Sequence, residues 1–192
     1  MLATGTTGIV IWTTTPWTLP ANQAVSVHPE AVYRLVGTAD AYFIVAEDVI
    51  EACAERLHWE ASVTLPADTF PSFTGRQLEG LSLQHPFYSR AVPVLCAEHV
   101  TTDTGTGLVH TAPAHGLEDF QVGQRYALLV ENPVAEDGTY KTSTDLFAGL
   151  SIWEANPQII ELLREYRVLF SHQDITHAYP HCWRHKTPII FR

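Results

Sequence analysis

Apolar residues in this chain fall mostly in short runs broken by Pro, Gly and Asp, not in long stretches with a helical period. β-Branched and aromatic residues favour extended backbone, so segments 8–13, 31–36, 42–46, 61–65, 92–96 and 107–111 read as strands. Three segments carry a 3.6-residue period instead. Residues 48–57 place Val49, Ile50, Cys53, Ala54 and Leu57 on one face, and residues 117–127 form a second helix. Residues 157–166 form a third, with Ile159, Ile160, Leu162, Leu163 and Tyr166 as its buried side. Asn156 is placed to cap the free amides of that helix, and Pro157 suits its first position, where an N–H is not needed. No regular βα alternation appears, so the pattern predicts a β-rich α+β fold: a barrel or sandwich core with peripheral helices.

The first strand runs into an unusual segment. After Gly8-Ile9-Val10-Ile11 come Trp12, Thr13, Thr14, Thr15, Pro16, Trp17, Thr18, Leu19, Pro20, Ala21 and Asn22, crowding four hydroxyls, two indoles and two prolines together. Pro16 and Pro20 stop the strand, which leaves Thr13–Thr15 at its end. Strand alternation puts Thr13 and Thr15 on one side and Thr14 on the other. Their hydroxyls can donate and accept, as a polar pocket wall requires. Spacing alone fits equally a threonine-rich sheet edge followed by a proline-stiffened loop.

Composition narrows the class. A chain of 192 residues, 46% hydrophobic and 17% charged, supports one globular domain with a sizeable core. No apolar run approaches a membrane span and the start lacks a signal-peptide pattern, so a cytoplasmic protein without membrane association is expected. Cys53, Cys96 and Cys182 are too few and too scattered for a disulfide framework. A formal charge of −10 argues against gripping a duplex by its phosphates, and any nucleic-acid contact must be local. The only basic cluster is Arg184-His185-Lys186 with Arg192, which fits a solvated edge or a phosphate contact equally. The chain starts almost in a strand and stops in another apolar stretch, Ile189-Ile190-Phe191, as an inserted domain would.

A second informative segment, 101–120, admits three readings. Asp103-Thr104-Gly105 spells the aspartic-protease tripeptide, but that chemistry needs two carboxylates sharing a proton, hence a dimer. His110, His115 and Asp119 are zinc-type ligands, but Pro113 interrupts any helix that would align the histidines. In the third reading Gly105 and Gly107 make a tight turn into a strand at 108–111, and a helix starts after Gly116. Asp119 then falls in the first helical turn, where the dipole and free amides would keep its carboxylate ionised and suited to an ammonium group. An Asp there can also serve only to stabilise the helix start.

Taken together, WTTTPWTLPAN at 12–22 and GTGLVHTAPAHGLEDF at 105–120 resemble the editing domain inserted in the catalytic core of bacterial-type isoleucyl-tRNA synthetases. Residues 179–192, Tyr-Pro-His-Cys-Trp-Arg-His-Lys-Thr-Pro-Ile-Ile-Phe-Arg, resemble the segment that returns from that insertion to the catalytic core, leaving 1–178 as the editing domain. The resemblance implies a closed β-barrel core with peripheral helices, no cofactor, and a monomeric module working with the host's catalytic core. It also implies the reaction. One missing methylene changes binding by only about 1–3 kcal/mol, a limit for which the isoleucine enzyme is itself the standard worked example, so valine esters must be destroyed at a second site. The substrate would be the 3′ end of isoleucine tRNA carrying valine, and valyl-adenylate is a further candidate.

The likeness assigns Asp119 to the substrate's α-ammonium, and Thr14 and Thr15 to placing the ester, the ribose hydroxyls or the attacking water. Val109 would be substrate-binding and His110 would border the side-chain pocket, its imidazole either excluding the extra methylene of isoleucine, the favoured role, or hydrogen-bonding the ester region. Thr13, Trp17, Thr18 and Asn22 would build the adenosine side. No covalent nucleophile is evident, since Cys53 lies on an apolar helix face and Cys96 ends a strand; positioned water is the simpler mechanism. Cys182 and His185 occupy a frame where some relatives have two cysteines of a zinc knuckle, but a partner pair is missing, so no metal is expected. Two alternatives stay open: a docking module that orients the tRNA end without hydrolysis, and the dimeric protease.

Overall fold

The computed structural model describes residues 6–37, 41–57, 71–175 and 180–192. Its strands are β1 (Thr6–Ile9), β2 (Ala24–Val27), β3 (Val32–Gly37), β4 (Ala41–Ala46), β5 (Ser72–Thr74), β6 (Ser82–Gln84), β7 (Ala91–Cys96) and β8 (Leu108–Thr111). The helices are α1 (Ile50–Arg56), α2 (Gly75–Leu78), α3 (Leu117–Arg125) and α4 (Ile152–Glu165), with a 3-10 turn at Pro16–Ala21. The strand expected at 61–65 lies outside the described residues.

Two four-stranded mixed sheets result, ordered β1-β4-β3-β5 and β6-β7-β2-β8. β1 and β4 are parallel, as are β2 and β7, while β2 and β8 run antiparallel with Val25 opposite His110. The expected closed barrel is not present: among the described residues no ladder joins the two sheets, and the architecture is α+β with two separate mixed sheets. The strands are short, and β1 ends at Ile9 rather than continuing to residue 13. The chain therefore leaves its sheet before the prolines are reached.

The two-residue strand period sorts the buried side chains between the two faces of each sheet. Val25, Val27, Tyr33, Ile44, Ala46, Val94, Cys96 and Leu108 form one cluster fed by both sheets, with Cys53 of α1 and Leu78 of α2. The opposite face of the second sheet, from Ala24 and Leu95, meets Val122 of α3. With apolar partners on both sides, β2 is buried at every position. Each fully buried aliphatic side chain contributes roughly 1.5–3 kcal/mol. A third cluster joins Trp17 and Leu19 of the 3-10 turn to Ile152, Ala155 and Ile159 of α4, through Phe87, Tyr140 and Phe147.

α4 starts earlier than expected. Ser151 is its cap: its hydroxyl accepts from the Glu154 N–H at 3.2 Å, and the Glu154 carboxylate accepts from the Ser151 N–H at 3.0 Å. Asn156 does not cap; its Oδ1 accepts the Trp17 N–H at 3.0 Å and fastens the 3-10 turn to the helix. Pro157 lies inside the helix, not at its first position.

Candidate functional site

The threonine segment is a turn, not a strand end. The Thr13 hydroxyl accepts the Thr15 N–H at 3.1 Å, and the Thr13 and Thr15 hydroxyls stand 3.4 Å apart. Thr18, in the 3-10 turn begun by Pro16, donates its hydroxyl hydrogen to the Thr15 carbonyl at 2.9 Å. Thr14 is exposed. The 3-10 turn is gripped from behind: Tyr140 donates to the Trp17 carbonyl, and His85 Nε2 donates to that of Leu19 at 3.1 Å.

β8 delivers His110 beside that turn, with Nε2 at 3.0 Å from the Thr18 hydroxyl oxygen. Because the Thr18 hydrogen goes to Thr15, the oxygen accepts here and His110 is the Nε2–H tautomer. Among the described residues its Nδ1 is buried without a hydrogen-bond partner. Burial, with His115 and His85 adding to it, pushes the imidazole down to about 4, so it is neutral around pH 7.

Two glycines set the approach of α3 and β8. Gly107 has φ +73°, and a Cβ there would meet the Ala46 Cβ at 2.3 Å. Gly123 lets α3 lie against Pro113, whose Cβ would be 2.8 Å from an added methyl. Asp119 sits in the first turn of α3, and its Oδ2 accepts the Ala112 N–H at 2.9 Å. Burial raises the carboxyl above its ordinary value, and this outweighs the lowering by the Ala112 amide and by His99. The expected net lowering by the helix start is therefore reversed, although an ammonium at the carboxylate would pull it back down.

These groups surround one cavity of about 320 Å³, lined by Trp12, Thr13, Thr14, Thr15, Thr18, Val109, His110, His115 and Asp119. Trp17 and Asn22 are placed behind its wall. Trp17 is in the apolar cluster with α4, and the buried Asn22 donates to the Ala24 carbonyl at 3.2 Å. Trp12 lines the site although no role is expected for it from the sequence, and His115, which the sequence offers only as a zinc-type ligand, lines it too; Trp12 carries the Arg56 guanidinium 5.0 Å over its ring. A second depression of about 420 Å³ is lined by His28, Glu30, Asp48, Glu98 and Thr102 among others; there Glu30 pairs with Arg76 and Asp48 accepts from Thr102.

Cysteine chemistry is unfavourable in the interior, since burial raises both the Cys53 and the Cys96 thiols. Asp103 is exposed in a loop. Cys182 and His185 stand 3.9 Å apart in a turn, and among the described residues no group of three or more metal-type ligands forms. No helix among the described residues is long and apolar enough to cross a membrane.

The sequence matches a family model, "Leucyl-tRNA synthetase, editing domain", over residues 2–157. It is 55% identical over 184 residues to the isoleucine–tRNA ligase of Thiobacillus denitrificans, and 50% identical over 195 residues to that of Pseudoalteromonas atlantica. Those matches cover 96% and 100% of this chain but only 19% and 20% of the relatives' length. The fold is that of the GlLeuRS-CP1 crystal structure, with a TM-score of 0.62 at 17% identity, covering 86% of this chain and 84% of that one. The cytosolic leucyl-tRNA synthetase editing domain of P. knowlesi gives 0.57 at 10% identity, with 83% and 80% covered. The aspartic-protease reading of Asp103 falls with these matches, and the chain belongs to the family of aminoacyl-tRNA synthetase editing domains.

Proposed function

We propose that the 320 Å³ cavity hydrolyses the ester between valine and the 3′-terminal adenosine of isoleucine tRNA. The observation that carries this reading is the meeting of a carboxylate, a neutral imidazole and a set of threonine hydroxyls around one small cavity. Asp119 takes the α-ammonium, and the ion pair offsets the upward push of burial on its carboxyl. The neutral His110 does not repel that ammonium, and its ring limits the depth available to the side chain. Thr14 and Thr15 place the ester carbonyl and the attacking water, while Thr13 and Thr18 shape the adenosine side. Water adds to the carbonyl carbon, the ribose oxygen leaves with a proton, and free valine and uncharged tRNA result. The raised Cys53 and Cys96 thiols fit a mechanism without a covalent enzyme intermediate. Valyl-adenylate carries the same aminoacyl end and is a second substrate.

Trp17 and Asn22 then act from behind the wall, by holding the 3-10 turn and the start of β2. Trp12 with Arg56 beside it puts an aromatic face and a positive charge near the adenosine end, in a chain of net charge −10. Residues 179–192 return towards the host's catalytic core, and 1–178 work as a single copy. The test compares isoleucine tRNA charged with valine and with isoleucine. Fast release of valine and slow release of isoleucine is expected; equal rates would remove the size sieve, and binding without hydrolysis would favour the docking alternative.

A further inference from the structure

His115 lines the cavity, yet its hydrogen bonds run elsewhere. Its Nδ1 lies 3.0 Å from the Phe191 carbonyl oxygen, and its main-chain N–H donates to the Ala112 carbonyl at 2.8 Å. A carbonyl only accepts, so Nδ1 carries the hydrogen and Nε2 keeps a lone pair. Among the described residues that Nε2 is buried without a partner. A histidine serving the core alone looks different here: His85 donates through Nε2 to Leu19, and its Nδ1 accepts from the Phe87 and Tyr88 N–H groups. Among the described residues the His115 ring is hydrogen-bonded through Nδ1 alone, to the segment of residues 180–192.

The other end of this arrangement reaches the site. Ala112 takes the His115 N–H on its carbonyl and gives its own N–H to Asp119 Oδ2 at 2.9 Å. The His115 ring also meets the Trp17 ring edge to face, with centroids 5.0 Å apart. Phe191 is itself held, because Ile190 packs on the cluster containing Trp17 and Ile159, while Arg192 reaches the Val134 carbonyl and the Glu136 carboxylate, each at 3.5 Å.

We infer that His115 is a positioning residue that ties the segment around Phe191 to the carboxylate of Asp119. The Phe191 carbonyl fixes the ring, the ring and its turn fix Ala112, and the Ala112 N–H aims the carboxylate at the substrate's ammonium. The inference rests on the proposed role of Asp119. It makes a segment remote from both sequence motifs part of what sets the site's geometry.

The test reads the wild-type chain first, without substrate. Imidazole ¹⁵N NMR should report His115 as the Nδ1–H tautomer; the Nε2–H tautomer would overturn the inference. Three variants follow: His115→Asn, whose amide can replace the Nδ1 donor, His115→Gln, which reaches the Nε2 position instead, and His115→Ala. Asp119 titration, followed by carboxyl NMR, should move up in the Gln and Ala variants as the Ala112 amide loosens, and stay in place in the Asn variant. His99 and Glu118, the other charged groups acting on Asp119, are unchanged in all three. On the valine ester, Gln and Ala should raise KM about tenfold with a smaller effect on kcat, and Asn should restore it, as for loss of one hydrogen bond worth about 1.4 kcal/mol. Equal behaviour of Asn and Gln in titration and KM would overturn the inference. Because tautomer and titration need no substrate, absence of hydrolysis in every protein would count against the proposed function alone.

Discussion

The hydroxyl oxygen of Thr18 stands 3.0 Å from Nε2 of His110, and its hydrogen is already committed to the Thr15 carbonyl 2.9 Å away. One threonine therefore fixes both the tautomer and the tilt of the imidazole that bounds the cavity. Thr18→Val keeps the shape but leaves a buried Nε2–H without an acceptor, which costs about 1–3 kcal/mol. A lower urea midpoint and a higher ratio of isoleucine to valine hydrolysis are expected. Both unchanged would contradict the coupling.

His110→Ala removes the ring that limits side-chain depth. Isoleucine tRNA correctly charged with isoleucine should then be hydrolysed, with discrimination against isoleucine falling by about tenfold or more, the scale of one methylene in an apolar pocket. A steady-state comparison of the two charged tRNAs reads this directly. Unchanged discrimination would rule out the steric role.

Stability should depend on pH through His85 and His110, both held down to about 4 by burial. The unfolded chain takes up these protons near pH 6.5, before the folded one does. Their contribution is thus complete above about 6.5 and is lost as pH falls towards 4, with a slope of up to about 1.4 kcal/mol per pH unit for each histidine. Urea midpoints at pH 7 and pH 5 should differ, with the lower value at pH 5. Equal midpoints would mean that the two rings are not buried as neutral groups.

Gly107→Ala meets two obstacles at once, a left-handed backbone and an Ala46 methyl 2.3 Å from the new Cβ. A loss of about 2 kcal/mol or more is expected, read as a fall in thermal midpoint. Because β8 begins at the next residue, ester hydrolysis should fall with it. A variant of wild-type stability would show that the turn can be remade.

The legible parts of this molecule were those whose cause is local. β3, β4, β7 and β8 follow from β-branched runs, α1 and α3 from apolar periodicity, and Asp119 in a first helical turn from the Gly116 break. β2 was missed because Ala24–Val27 follows the prolines closely and is buried on both faces, so it shows no alternation. The start of α4 was misplaced because Asn156-Pro157 imitates a cap, although the Ser151-x-x-Glu154 box was present in the sequence. Strand content leaves barrel and sandwich equally open, and the closed barrel implied by the resemblance is absent because pairing between sheets is a tertiary property that short motifs do not fix. Trp17 and Asn22, expected at the substrate, turn their side chains to the interior. His115 needed a partner 76 residues away, the Phe191 carbonyl, and no spacing rule connects the two.

In the proposed function, Asp119 makes this cavity a valine-ester hydrolase. Single-turnover hydrolysis of isoleucine tRNA charged with valine, by the wild-type chain and by Asp119→Ala, tests it most directly. Rapid release of valine by the wild type and near-background release by the variant are expected, with folding of the variant verified by circular dichroism. Near-normal hydrolysis by a folded Asp119→Ala protein would contradict it.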